Sequence, residues 1–193
     1  MGYHLLKQRR IVDADDEDLE AHEFECGDEV ALDKPWRRGI RFKQPPSVPI
    51  PLVFEDEDFE DGAFRDYLST PVPLVSTRLK AALLSVPVTN LEFYETSVSG
   101  SDRFPDFPGY WALNVVGMVA VADAAASVGQ RAMGVMGADL FDKLVVKPDL
   151  ASDLRMFRMA EQNSTLVVSD EVKQACESLG IDTIEFQPLE SSS

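Results

Sequence analysis

The residues best suited to catalysis are few, and their spacing does not assemble them. His4 and His22 are the two histidines, Cys26 and Cys176 the two cysteines. Zinc sites draw on short pairs such as C-x-x-C or H-E-x-x-H, and neither occurs. His22 and Cys26, four residues apart, have the spacing of a nucleophile–base pair. Glu23, Glu25, Asp28 and Glu29 around them would raise the thiol's pKa, the wrong direction for a thiolate. G-x-S-x-G, G-x-x-x-x-G-K-[ST] and G-x-G-x-x-G are all missing. A calcium loop begun at Asp13 would use Asp15 and Glu17, but it puts Asp18 where glycine is required and Phe24 where glutamate belongs. Paired carboxylates for acid–base work are abundant, and their abundance singles none out. The expectation is a protein without catalytic residues, metal or cofactor.

What remains is charge. The 193 residues carry a net charge of −16, with 34 acidic side chains against 18 basic ones. That argues against a nucleic-acid binder, which needs clustered Lys and Arg, and against docking on anionic lipid. The acid is concentrated in two runs, around Asp15, Asp16, Glu17 and Asp18 and around Glu55, Asp56, Glu57 and Asp58. Such runs are either solvated faces or a surface that steers a basic partner. Trp36, among Lys34, Arg37 and Arg38, is a further candidate anchor for a partner; alternatively it closes one end of the core under a stacked arginine. Two cysteines suit a reducing compartment, no apolar run of signal-peptide length opens the chain, and Asn114 and Asp123 interrupt the most apolar stretch. A cytoplasmic protein off the membrane is expected.

The elements that position these groups divide unevenly. Residues 1–66 hold 18 acids and 9 bases, with the proline-rich QPPSVPIPL between the acidic runs, and are expected to be a lobe with short strands near Tyr3–Leu6 and Pro51–Phe54. Residues 67–189 form the expected core, and 190–193 a flexible tail. The core contains a repeat: shifted by 93 positions, 74–94 lies on 167–187 without a gap, and seven of 21 columns are identical. Each copy reads as strand–helix–strand. Ser76 and Ser169 stand as N-caps, and Leu79, Ala82, Leu83 and Val86 match Val172, Ala175, Cys176 and Leu179 as one buried stripe. Pro87 ends the first helix and Gly180 the second. The repeat is either a two-fold binding surface or simply a shared structural unit with no site attached. YWALNVVGMVAVAD reads as one or two buried strands, FDKLVVKP as another, and DLASDLRMFRMAE as a helix burying Leu150, Leu154 and Phe157. The fold class is α+β, with a mixed or mainly antiparallel sheet and a few short helices.

The segments PWRRGIRF, PLVSTRLKAALLSVPVTNLEFYETSV, GYWALNVVGMVAVAD, and FDKLVV followed by LVVSDEVKQACESLGIDTIEFQPL occur in that order. From Trp36 to Leu189 the chain resembles a family of bacterial immunity proteins of polymorphic toxin systems. The resemblance implies a non-catalytic protein that binds a cognate toxin encoded beside it, type VI secretion effectors among them, and blocks it by stoichiometric occlusion. It brings no catalytic residues, and implies that Tyr110, Trp111, Asn114 and the Phe93/Phe186 pair are fold determinants. Charge adds that the toxin should present a basic surface. Other readings are a scaffold or adaptor of a secretion system, or a carboxylate-based metal-dependent enzyme.

Overall fold

A computed structural model describes residues 2–12, 19, 22–31, 35–54, 64–130 and 139–192. In chain order the described elements begin with β1 (Tyr3–Gln8), β2 (Phe24–Glu25), α1 (Asp28–Ala31), β3 (Ile50–Phe54) and β4 (Tyr67–Leu68). Then come β5 (Leu74–Ser76), α2 (Thr77–Ser85), β6 (Leu91–Ser99), β7 (Tyr110–Val115) and β8 (Met118–Val119). The rest are β9 (Val128–Gln130), β10 (Leu140–Lys143), β11 (Val145–Val146), β12 (Met156–Met159), β13 (Leu166–Ser169), α3 (Asp170–Ser178), β14 (Ile184–Pro188) and β15 (Glu190–Ser191). The fold is α+β. One sheet runs β2-β3-β6-β7-β5-β4 and a second β14-β1-β13-β12-β8, with two-stranded pairs β9–β10 and β11–β15. Parallel and antiparallel pairs occur in both main sheets. Among the described residues no helix is long and apolar enough to cross a membrane.

The two aligned segments form β5–α2–β6 and β13–α3–β14, and each unit is completed by a strand inserted between its outer two. β7 lies between β5 and β6, antiparallel to both, with Ser76 opposite Tyr110 and Phe93 opposite Leu113. β1 lies between β13 and β14 in the same way, with Ser169 opposite Tyr3 and Phe186 opposite Leu6. Tyr3 therefore takes the place of Tyr110, and Leu6 that of Leu113. Hydrogen bonds outside the ladders repeat too. Ser76 N–H donates to the Asp66 carbonyl and Ser169 N–H to that of Arg155, both at 2.8 Å. Thr77 N–H meets Gly109 O at 3.0 Å and Asp170 N–H meets Gly2 O at 3.1 Å. The Tyr110 hydroxyl donates to Arg65 O at 2.7 Å, and the Tyr3 hydroxyl, which donates to Ala151 O at 2.5 Å, also lies 3.0 Å from Leu154 O. Beyond the inserted strand, β3 runs parallel to β6, and β11 runs parallel to β15. The second unit is thus completed by a strand that precedes it in the chain. Consequently β1, from the acidic first third of the chain, is an inner strand of the second sheet.

The helices explain how the units join. Leu79, Ala82 and Leu83 of α2 and Val172 and Cys176 of α3 are fully buried, in one cluster with Leu113 and Val115 of the first sheet and Leu6 and Val168 of the second. Stripes at i, i+3, i+4 spacing need such a shared layer. Leu179, expected in the stripe, is instead 50% exposed as the C-cap of α3. Gly180 follows at φ 64°, with Gly180 N–H bonding Glu177 O and Ile181 N–H bonding Cys176 O, a Schellman closure. Each sheet has a second cluster on its other face, around Leu52, Leu74 and Ala112 in the first unit and Phe157, Met159 and Val167 in the second.

The helix expected over DLASDLRMFRMAE does not form. Pro148–Ala151 is a single 3₁₀ turn, and Met156–Met159 is strand β12, all four residues buried. Met156 faces the shared cluster while Phe157 and Met159 face the other one. A strand buried on both faces, as this one is even at Arg158, loses the alternation that would separate it from a helix.

The two N-cap serines differ. Ser76 Oγ accepts from Leu79 N–H at 3.1 Å and donates to Asp66 at 2.5 Å, whereas Ser169 Oγ is buried and has no hydrogen-bond partner among the described residues. Ser76→Ala should cost about 1–2 kcal/mol, and Ser169→Ala should lie within about 0.5 kcal/mol of the parent. Urea unfolding of the two variants side by side checks the contrast.

Candidate functional site

The acidic residues named from the sequence, Asp15 to Asp18 and Glu55 to Asp58, lie outside the described residues. Their flanks do not. Arg65, 4% exposed, donates from Nη1 to the Arg9 carbonyl and from Nη2 to the Leu19 carbonyl, each at 2.8 Å. Leu19 N–H closes the same base on Ile11 O at 2.9 Å. One guanidinium therefore holds both described flanks of the first run. The second run lies in the chain between Phe54, the last residue of β3, and Phe64. Those two rings pack at 6.3 Å, both against Phe104, at 5.1 and 5.5 Å. Since Arg65 follows Phe64, the flanks of both runs meet at one corner of the first unit.

Beneath that corner is a polar network. His22, 1% exposed, meets the Tyr110 hydroxyl through Nε2 at 2.8 Å and sits edge-on to Phe24 and Phe64. Asp66 accepts from the Ser76 hydroxyl, from Arg78 Nε and Nη2 at 2.6 Å each, and from the Thr183 hydroxyl at 2.6 Å. Burial pushes the Asp66 carboxyl up, but Arg78, Ser76 and Thr183 together outweigh it and hold it below the usual range. Thr183 also accepts from Asp66 N–H at 2.8 Å, so the second unit is tied to the first at this carboxylate. A cleft of about 420 Å³ opens alongside, with Arg9, Arg10, Arg78, Asp182 and Phe64 in its walls.

The other candidate groups belong to the interior. Trp36 is 3% exposed; its indole N–H donates to Val30 O at 2.7 Å, and its ring meets Phe42 and Tyr94 edge-on at 4.8 and 5.7 Å. It presents no free face to a partner, because the apolar cover of the first sheet is built on it. Arg37 is not its lid; Nη2 of Arg37 donates to Ser69 O at 3.1 Å. The Cys26 thiol is pushed up by burial and then by Glu29 and Asp28, and burial takes Cys176 to about 12. His4 meets Asp170 at 2.9 Å at the start of α3.

Sequence reasoning did not single out Arg65 and Asp66. The available signal was the pair of dipeptides Gly2-Tyr3 and Gly109-Tyr110, which aligns β1 with β7 and points to the residues that their hydroxyls meet.

The arrangement is that of an α+β scaffold in which the described flanks of both acidic runs meet at one corner of the first unit. The chain matches the family described as Immunity protein family (Imm11) over residues 3–191, nearly its whole length, and belongs to that family. The family carries a toxin-neutralising immunity function. No curated protein matches the chain.

A group whose folded pKa is depressed stabilises the fold fully above its unfolded value and loses that contribution as pH falls through the folded value. Asp66 should therefore make the protein acid-sensitive below the ordinary carboxylate range, near 3.8. Asp66→Asn should cost about 3 kcal/mol at neutral pH, and the variant should lose less stability than the parent between about pH 5 and pH 2. Denaturant unfolding across that range measures both.

Proposed function

We propose that this immunity protein neutralises its toxin by tight one-to-one occlusion, with the two acidic runs steering a basic face of the toxin onto the Arg65 corner. The observation that supports this reading is the convergence of the flanks of both runs on Arg65 and Phe64. One guanidinium and one aromatic cluster then serve both segments, so their eight carboxylates, Asp15 to Asp18 and Glu55 to Asp58, would act as one field rather than two. Dense charge of one sign raises encounter rates with a partner of the other sign and rejects partners of the same sign. The work is done in the cytoplasm of the producing cell, with a type VI secretion effector as the candidate toxin. Trp36 takes no direct part, being enclosed in the first unit's core.

Co-expression with the toxin encoded beside its gene should rescue growth of a susceptible host, and the two proteins should co-purify at one-to-one stoichiometry. Neutralising Asp15, Asp16, Glu17 and Asp18 together should lower the association rate about tenfold or more at low salt, with a smaller effect at high salt. Glu55, Asp56, Glu57 and Asp58 should behave alike. An unchanged rate in stopped-flow or surface-binding measurements would remove that run from the interface.

A further inference from the structure

The first unit covers the outer face of its sheet with the segment Pro35–Phe42. Phe42 stacks on Tyr94 of β6 at 5.6 Å, and Trp36 stands edge-on to both rings. Ile40 O accepts from the Asn114 amide on β7 at 2.9 Å, Arg41 approaches Glu92 at 3.6 Å, and Arg37 reaches Ser69 O beyond β4. Four positions thus receive the segment: Tyr94, Asn114, Glu92 and the connection between β4 and β5.

The register of the second unit puts Gln187 in the place of Tyr94, Lys7 in that of Asn114 and Glu185 in that of Glu92. The turn between β12 and β13 stands where the β4–β5 connection does. Among the described residues no counterpart of Trp36 covers these positions. An open cleft of about 510 Å³ lies there instead, with Lys7, Gln187, Gln162, Thr165, Phe141 and Leu144 among its walls. Leu5 and Leu189, both partly buried, add apolar wall. One carboxylate is also left without a hydrogen bond or ion pair among the described residues, although Lys7 now stands directly opposite it in the register. Glu92 receives Arg41, the Tyr94 hydroxyl and the Asn114 amide. Glu185, the same residue type in the same register, is exposed, and its carboxylate has no partner among the described residues. Glu190 at the rim is already paired with Lys143 at 2.8 Å.

We propose that this cleft is a docking seat for an aromatic side chain, with an arginine close by, on a loop of a protein partner. That is the occupant the chain supplies to itself in the first unit. The ring would fill the space between Phe141, Leu5 and Gln187, and the guanidinium would meet Glu185. Trp, Tyr and Arg dominate the energetics of such contacts because they bury large area at low conformational cost and leave a charge to be answered. The inference rests on the reading that the protein works by binding another protein. It concerns a face of the second unit, whereas the acidic runs leave from the first.

The test uses the full-length, isotope-labelled protein and, as probe, the capped peptide of the chain's own residues 35–42, PWRRGIRF. Titration should give saturable amide shifts at Lys7, Thr165, Phe141 and Gln187, with millimolar affinity. Ser164→Trp, whose indole fills the cleft from the exposed turn, should abolish them, and Glu185→Lys should weaken binding roughly threefold or more at low salt. A peptide with alanine in place of Trp and Phe should not bind. Where Ser164→Trp is not folded by circular dichroism, Gln187→Arg replaces it. No saturable shift, shifts that survive the filled cleft, or shifts confined to Tyr94 and Asn114 would each overturn the proposal. No toxin enters this titration, so its failure and a failure of toxin rescue are separate results.

Discussion

The structure depends on α2 and α3 burying their apolar stripes in one common layer. Neither nine-residue helix has enough apolar surface to hold a sheet alone. Together, Leu79, Ala82, Leu83, Val172 and Cys176 meet the inner faces of both sheets. Everything else follows from that sharing. Each sheet has its helix on one side only, so its outer face needs a separate cover. The two outer clusters are those covers, and they differ between the units far more than the shared layer does.

One pair of interactions shows what the shared design demands and what it leaves free. In the first unit Asp66 binds Arg78, the second residue of α2. In the second unit Arg155 occupies the position of Asp66 and binds Glu171, the second residue of α3. The ion pair ties strand to helix in both places, with its charges exchanged. Coulomb attraction is indifferent to that exchange, so the geometry is kept and the residue types are not. The surroundings are not equivalent. Asp66 has a side-chain exposure of 2% and two hydroxyls besides its arginine, whereas Arg155 and Glu171 have 29% and 44%. The deeper pair stands beside the corner from which the acidic runs leave, where the scaffold carries the more heavily braced network.

The repeat was legible in the sequence because it rests on residues with fixed structural meaning. Capping serines, a helical stripe, a stopping proline and a closing glycine predicted α2 and α3 within a residue or two. The inserted strands were harder, since β1 and β7 share little beyond Gly-Tyr and a leucine three residues on. Only the register shows Tyr3 and Tyr110 doing the same work. β12 was misread for a definite reason: burial on both faces erased its period. Arg65 and Asp66 were invisible because their importance comes from carbonyls and hydroxyls supplied by residues distant in sequence, which no local pattern encodes. Trp36 was ambiguous for the opposite reason. A tryptophan among arginines is what an interface anchor and a core plug both look like, and the Phe42 and Tyr94 rings decide for the plug.

The distribution of charge follows from the same division of labour. Positions that repeat between the units are constrained by packing, caps and ladders, and offer little room for a partner-specific surface. The two acidic runs occupy chain segments outside the repeat: one joins β1 to β2, the other joins β3 to β4. The segment corresponding to the latter in the second unit, between β11 and β12, is short and closed by a 3₁₀ turn. Placing like charges there concentrates repulsion at one corner, which costs stability in the free protein. Arg65 lies beneath that corner, and two of its bonds go to the neutral carbonyls of Arg9 and Leu19. A cation buried beneath the flanks of both runs offsets part of that repulsion.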